Sequence, residues 1–204
     1  LDTELFNSDM LRLINGEEVQ LPRFDFKLGK RVPGRILKVD QNQPIIIEGI
    51  HALNDELTPD ITKHQKFKIY IAPQAQICLD NHNPLSLTDL RLLRRIVRDN
   101  QFRGYTAQNT ISTWNNVNLG EEKNIFPYQE SANTIFNTSL IYELGALKPI
   151  AMPLLKEIKR DNVEYAEAQR LINILKYFRE IPAEYVPDNS LLKEFIGGGT
   201  FGLH

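Results

Sequence analysis

The residues best placed to do chemistry lie in one arginine-rich stretch, TDLRLLRRIVRDNQFRG, from Thr88 to Gly104. At about 100° per residue along a helix, Arg91, Arg94, Arg95 and Arg98 share one arc, while Leu90, Leu92, Leu93, Ile96 and Val97 share the opposite one. The spacing predicts a helix that docks by its leucines and points its guanidinium groups outward. Arg103 carries the charge into a break at Gly104, and the local acids are Asp89 and Asp99. Guanidinium forks fixed on a docked element match a polyanion such as a phosphate chain. The alternative is a solvated, salt-bridged face.

Glu48 is the second candidate, because it closes the apolar run Ile45-Ile46-Ile47. Continuous β-branched residues suit a strand covered on both faces. In open α/β sheets ligands gather beyond the carboxyl ends of strands, so an acid there can hold Mg²⁺ directly or through water. Its other reading is a strand-exit charge capping a helix near Ala52. Arginines with a strand-end acid suggest phosphoryl transfer, in which the protein mainly positions groups and neutralises charge. That chemistry needs a phosphate cradle, and no G-x-x-x-x-G-K-S/T occurs in these 204 residues. The literal G-x-G-x-x-G at Gly197, Gly199 and Gly202 follows no strand and reads as a flexible tail. Asp80, His82 and Asp89 match no specific metal spacing and read as a polar turn. His51 reads as a helix start, and Ser139 and Ser190 lack His and Asp partners for a nucleophilic triad.

The elements that must position these residues alternate. Thr3 to Asn15 reads as a helix capped by Asp2 and stopped by Gly16. VQLPRFDFKLGKRVPG reads as a loop, and strands are expected at Ile45 to Ile47, at Lys66 to Ile71 with Phe67, Ile69 and Ile71 on one side, and at Ala132 to Phe136. Further helices are expected at Thr88 to Asp99, Ser139 to Leu147, Pro153 to Lys159 and Glu164 to Arg179. This is an α/β pattern with a parallel sheet flanked by helices and a helical C-terminal portion. Composition agrees: 42% hydrophobic and 25% charged residues describe an ordinary globular chain, and a net charge of −2 disfavours a long nucleic-acid track. The lone Cys78 rules out an internal disulfide and fits a reducing compartment. Glu143, Lys148 and two prolines interrupt the apolar stretch Ser139 to Leu155, so it cannot span a bilayer. Asp2 and Glu4 replace the basic start of a secretory signal, and the missing initiator Met suggests a processed or truncated start.

Four segments, INGEEVQLPRFDF (Ile14 to Phe26), PIIIEGIHAL (Pro44 to Leu53), RLLRRIVRDNQFRG (Arg91 to Gly104) and ANTIFN (Ala132 to Asn137), together resemble the uridine kinase and phosphoribulokinase family of P-loop kinases, in its bacterial uridine kinase-like branch. The resemblance implies a partial P-loop NTPase-like fold over residues 1–150 that includes an arginine lid, with 151–204 as a helical extension and tail. It implies ATP and Mg²⁺ as cofactors and transfer of a phosphoryl group to a hydroxyl of a nucleoside or sugar-containing acceptor, in the cytoplasm. By the same resemblance Glu48 helps hold Mg²⁺, Arg98 and Arg103 are lid arginines that reach the phosphates, Arg95 lies on the acceptor side, and Phe24, Asp25 and Phe26 form a loop against the acceptor base.

Three positions depart from the uridine site: Phe24 replaces a Tyr, Gly29 a His, and Tyr105 a second acceptor arginine. A site that reads a polar base edge discriminates through its hydrogen bonds, so these changes should alter or relax base choice. The family's P-loop, its catalytic Asp and its ribose-binding Asp precede the segment that resembles Leu1 to Glu18. The chain alone is therefore expected to be inactive unless an upstream P-loop segment completes it. Self-association through an exposed sheet edge is a further expectation. Two alternatives stand beside the kinase: a non-catalytic anion-binding or regulatory domain derived from this family, and an RNA-binding module built on the arginine helix.

Overall fold

The computed structural model describes residues 2–25, 28–74 and 77–201. Two compact units emerge, Leu1–Tyr70 with Gly120–Thr134, and Ile71–Leu119 with Ile135–His204.

In the first unit, helix α1 (Thr3–Ile14) forms as its pattern predicts. Asp2 accepts from the Leu5 amide at 3.1 Å, Met10 and Leu13 face inward, and Gly16 takes the left-handed conformation that ends the helix. The expected loop after it is instead an antiparallel hairpin, β1 (Val19–Asp25) and β2 (Lys30–Leu37). Two prolines ordinarily argue against strands, because each lacks a ladder donor. Here Pro22 pairs opposite Pro33 beside a register irregularity, so both defects fall at one place. At the turn, the Leu28 amide donates to the Asp25 carboxylate at 2.9 Å. Met10, Leu13, Val19 and Ile61 form a small core.

The expected strand at Ile45 to Ile47 is absent, since no neighbouring strand pairs with it among the described residues. Ile45 packs on the small core, whereas Ile46 is 87% exposed. The segment that follows is pinned by charge. Lys68 Nζ lies 2.7 Å from Asp55 and donates to the Leu53 carbonyl, while Lys66 Nζ donates to the Thr58 carbonyl. Lys68, then burial acting in opposition, sets the Asp55 carboxyl below the usual range.

Strands β3 (Ile69–Ala72) and β4 (Thr134–Asn137) are neighbours, and each runs from the first unit into the second. The Asn133 amide donates to Lys68 and the Thr138 amide to Ala72, so the pair is parallel. Parallel strands need a crossover, supplied by α2 (Leu87–Arg103) and α3 (Ala107–Asn124). The result is the expected mixed α/β architecture, a short parallel sheet flanked by helices, consistent with a partial P-loop NTPase-like fold. The strand expected at Lys66 to Ile71 begins only at Ile69, so Phe67 precedes it, and Phe67, Ile69 and Ile71 are all exposed.

The second unit holds the large core, built by α2 with α4 (Glu143–Lys156) and α5 (Tyr165–Lys176). Leu93, Ile96 and Val97 of α2 are fully buried, and Gly104 closes the helix with φ +68°. Asp89 receives both Arg170 guanidinium nitrogens, at 2.7 and 2.6 Å, which ties α2 to α5.

The two helices expected around Pro149 and Pro153 are one continuous helix. Pro149 offers no N–H to the Gly145 carbonyl one turn back, and the Ile181 amide donates to that carbonyl instead, at 3.0 Å. Contrary to the expected outward face, Arg94 is buried. It donates to the Thr138 hydroxyl at 3.1 Å and carbonyl at 2.6 Å, pairs with Glu143, and lies 5.2 Å from the centre of the Phe195 ring. Burial pushes the Glu143 carboxyl up, against the opposing pull of Arg94.

Removing one partner of a buried pair leaves an uncompensated charge. Glu143→Ala is therefore expected to cost about 3–5 kcal/mol, whereas Glu17→Ala at the exposed Arg12–Glu17 pair should cost about 0–1 kcal/mol. Urea unfolding followed by circular dichroism measures both, and equal losses would contradict the assignment. Gly145→Ala is a second test. A Cβ there would lie 2.6 Å from the Arg179 carbonyl and 2.9 Å from Ile181 Cδ1. The gain of about 1 kcal/mol in helix preference should be outweighed, leaving a net loss of roughly 1–3 kcal/mol.

Candidate functional site

The arginines of α2 converge on a carboxylate that the sequence pattern did not single out. Asp99 is only 1% exposed. Arg95 Nε donates to it at 3.1 Å from one turn earlier, and Arg103 Nη1 donates at 2.9 Å from one turn later. Arg98 approaches it at 3.8 Å and reaches Glu194 of α6 (Lys193–Ile196) at 3.9 Å. The signal was present as i, i+4 spacing on both sides of Asp99.

Three guanidinium groups around Asp99, with Glu194 beside Arg98, leave an excess of positive charge on this face. Arg98 carries the sign of that excess. Burial, and then the charge of Arg103, lowers its affinity for its proton despite Asp99 and Glu194. Its Nε is buried without a hydrogen-bond partner among the described residues. An anion arriving here would relieve crowding among like charges and supply acceptors to fixed forks. Tyr105 sits just beyond the helix end, half exposed, its amide donating to the Asp99 carbonyl.

The remaining predicted residues belong to the first unit. Phe24 is exposed on β1 opposite Arg31, and Asp25 holds the hairpin turn. Phe26 lies outside the described residues. Glu48 is exposed in the unpaired segment after Ile47. Among the described residues no cluster of three His, Cys, Asp or Glu side chains is arranged for a metal. One accessible carboxylate is still a usual protein share for Mg²⁺, which keeps several waters and takes its other ligands from phosphates. Glu48 fits that limited role. Asp80 forms the expected polar turn, accepting from the His82 and Asn83 amides. Of the glycine motif near the end, Gly202 lies outside the described residues. Among the described residues no helix is long and apolar enough to cross a membrane.

Comparison with known proteins finds similar kinases. A protein named uridine kinase from Clostridium perfringens is 33% identical over 116 residues, which are 57% of this chain and 48% of that protein. One of the same name from Brevibacillus brevis is 31% identical over 57% of this chain and 46% of its own length. Another from Chlamydia pneumoniae is 28% identical over 84% of this chain and 70% of its own. The chain thus spans about half the length of the first two. Residues 1–82 match the Phosphoribulokinase / Uridine kinase family, the family to which these relatives' names also point.

Proposed function

We propose that the chain is the lid-bearing portion of an ATP-dependent kinase that transfers a phosphoryl group to a hydroxyl of a nucleoside. The observation that carries this reading is the convergence of Arg95, Arg98 and Arg103 on Asp99. In phosphoryl transfer the acceptor oxygen bonds to the γ-phosphorus as the bridging P–O bond to ADP breaks, and charge spreads over the transferring group. Arg98 and Arg103 are assigned to neutralise that charge, and Arg95 to face the acceptor. Phe24 and Asp25 are assigned to the acceptor base, with Tyr105 flanking the lid.

Glu48 is the residue that would hold Mg²⁺, whose chemistry is to neutralise and orient the phosphates. Residues 1–150 then carry the kinase-related portion and 151–204 a helical extension, in a protein that works in the cytoplasm. Uridine-like acceptors are favoured by the relatives' names, with base choice relaxed by Phe24, Gly29 and Tyr105. These 204 residues hold no G-x-x-x-x-G-K-S/T cradle, so in this reading turnover requires a phosphate cradle supplied by another segment.

A second reading is an anion-binding or regulatory domain that uses the same arginine cluster without transfer. The protein encoded by the whole reading frame should be assayed for transfer from γ-labelled ATP to a panel of nucleosides. The kinase reading expects turnover, and expects Arg98→Ala and Arg103→Ala each to lower kcat by roughly 10²–10³. Polyphosphate binding without transfer to any acceptor would establish the regulatory reading instead.

A further inference from the structure

A cavity of about 390 Å³ lies in the second unit, beside the C-terminal end of α2. Its size falls in the range of small-molecule pockets, roughly 300–1,000 Å³. Phe102 and Leu191 give it apolar walls, and Lys193 and Glu194 give it polar ones. Gly197 to Gly199 add bare backbone to the lining, with Gly197 next to the Phe102 ring edge. The glycines are required there for two reasons. Gly197 and Gly198 have φ of +80° and +74°, and a Cβ on Gly199 would lie 2.9 Å from Lys193 Cβ. A Cβ on Gly197 would touch the Phe102 ring edge at 3.6 Å. Side chains on this run would fill the space the glycines leave.

The pocket continues directly from the arginine cluster. Arg95, Arg98, Asp99 and Phe102 follow i, i+3, i+4, i+7 spacing and so share one face of α2. Phe102 stands one turn, about 5.4 Å, beyond Arg98. Glu194 belongs to both places, lining the cavity and approaching Arg98. The face therefore presents an aromatic wall and a polar edge at one end, and surplus guanidinium charge at the other. A flat ring with hydrogen-bonding edges and an anionic tail complements it.

We propose that this cavity is a nucleobase subsite: the base of a nucleoside phosphate stacks on the open part of the cavity beside Phe102 and the adjoining glycine backbone, its edge meets Lys193 and Glu194, and its phosphates lie along Arg98 and Arg103. The proposal rests on the assignment of those arginines to phosphate, and it extends the site into the 151–204 stretch.

Titration calorimetry on the 204-residue chain in low salt would use three probes: ATP, UMP and inorganic tripolyphosphate. At least one nucleotide should depend on Phe102, because stacking of a base on an aromatic side chain supports a roughly 5- to 100-fold loss of affinity in Phe102→Ala. The same variant should leave tripolyphosphate binding within about twofold, since no stacking is lost. Phe102→Leu keeps an apolar side chain without a ring and should lose affinity in the same direction. In NMR spectra the Gly197 and Gly199 amides should shift with the nucleotide and stay still with tripolyphosphate. With Phe24 and Asp25 assigned to the acceptor base, ATP is expected to show the larger Phe102 dependence; a larger dependence for UMP would overturn that assignment.

Equal binding of ATP, UMP and tripolyphosphate, unchanged in both Phe102 variants and with silent glycine amides, overturns the subsite while leaving the arginine assignment intact. Nucleotide binding that depends on Phe102, with no binding of tripolyphosphate and no effect of Arg98→Ala, upholds the subsite and overturns the arginine assignment.

Discussion

The buried pair between Arg94 and Glu143 sets the geometry on which the rest of the second unit depends. Arg94 alone joins α2 to the end of β4 through Thr138, to the start of α4 through Glu143, and to α6 through the face of Phe195. A helix whose residues step by about 100° cannot bury one arginine without fixing the direction of all the others. With Arg94 turned inward, Arg95, Arg98, Asp99 and Phe102 are committed to one side. Taking two charges out of water is costly, and the raised Glu143 carboxyl is the mark of that cost. Arg94 Nε and Glu143 Oε1 also lack partners among the described residues. We therefore read the pair as a device that selects one rotational setting of α2, rather than as a large net contribution to stability.

Asp99 performs a related task at the surface of the same helix. Long arginine side chains lose considerable rotamer freedom when held, and exposed pairs seldom return much for it. A carboxylate that is itself almost fully buried is a different partner, because its position does not wander. Arg95 and Arg103 spend part of their hydrogen-bonding capacity on Asp99, yet each guanidinium carries five donors. Donors beyond those contacts can serve an incoming anion with the fork already oriented, which is the condition under which electrostatic stabilisation is most effective. Arg98, poorest in partners and lowered in proton affinity by burial and by Arg103, gains most from such an anion.

What the sequence disclosed was what local rules govern. The leucine stripe, the Gly104 stop and the Asp2 cap all form as their local patterns predict. Several of the differences share one physical origin, a partner outside the local window. Pro22 is tolerated because Pro33 lies opposite it, and Pro149 because Ile181 satisfies the Gly145 carbonyl. Arg94 looked solvent-facing because Glu143 is 49 residues later. Helix α3 went unread since AQNTISTWNNVNLGEEKN is rich in Asn and Thr, which compete locally with helical hydrogen bonds. Within the candidate site, the arginines and the Asp99 spacing were legible, whereas the wall formed by Phe102 and the glycine run exists only through packing.

The residues proposed for the kinase reaction differ in how firmly each is held within its own unit. Arg95, Arg98 and Arg103 project from a helix of 17 residues seated on fully buried leucines. Glu48 ends a segment without ladder partners among the described residues, in which Ile45 is packed and Ile46 is open to solvent. Its position is secured indirectly, through the Lys68 and Lys66 contacts that tether Asp55, Leu53 and Thr58 downstream. Segments with few buried apolar contacts and few backbone hydrogen bonds open at low free-energy cost. A catalytic constellation needs tolerances of roughly half an ångström. In the kinase reading the arginines are therefore held in place by the packing of their own helix, whereas Glu48 sits in a segment that can shift at low free-energy cost.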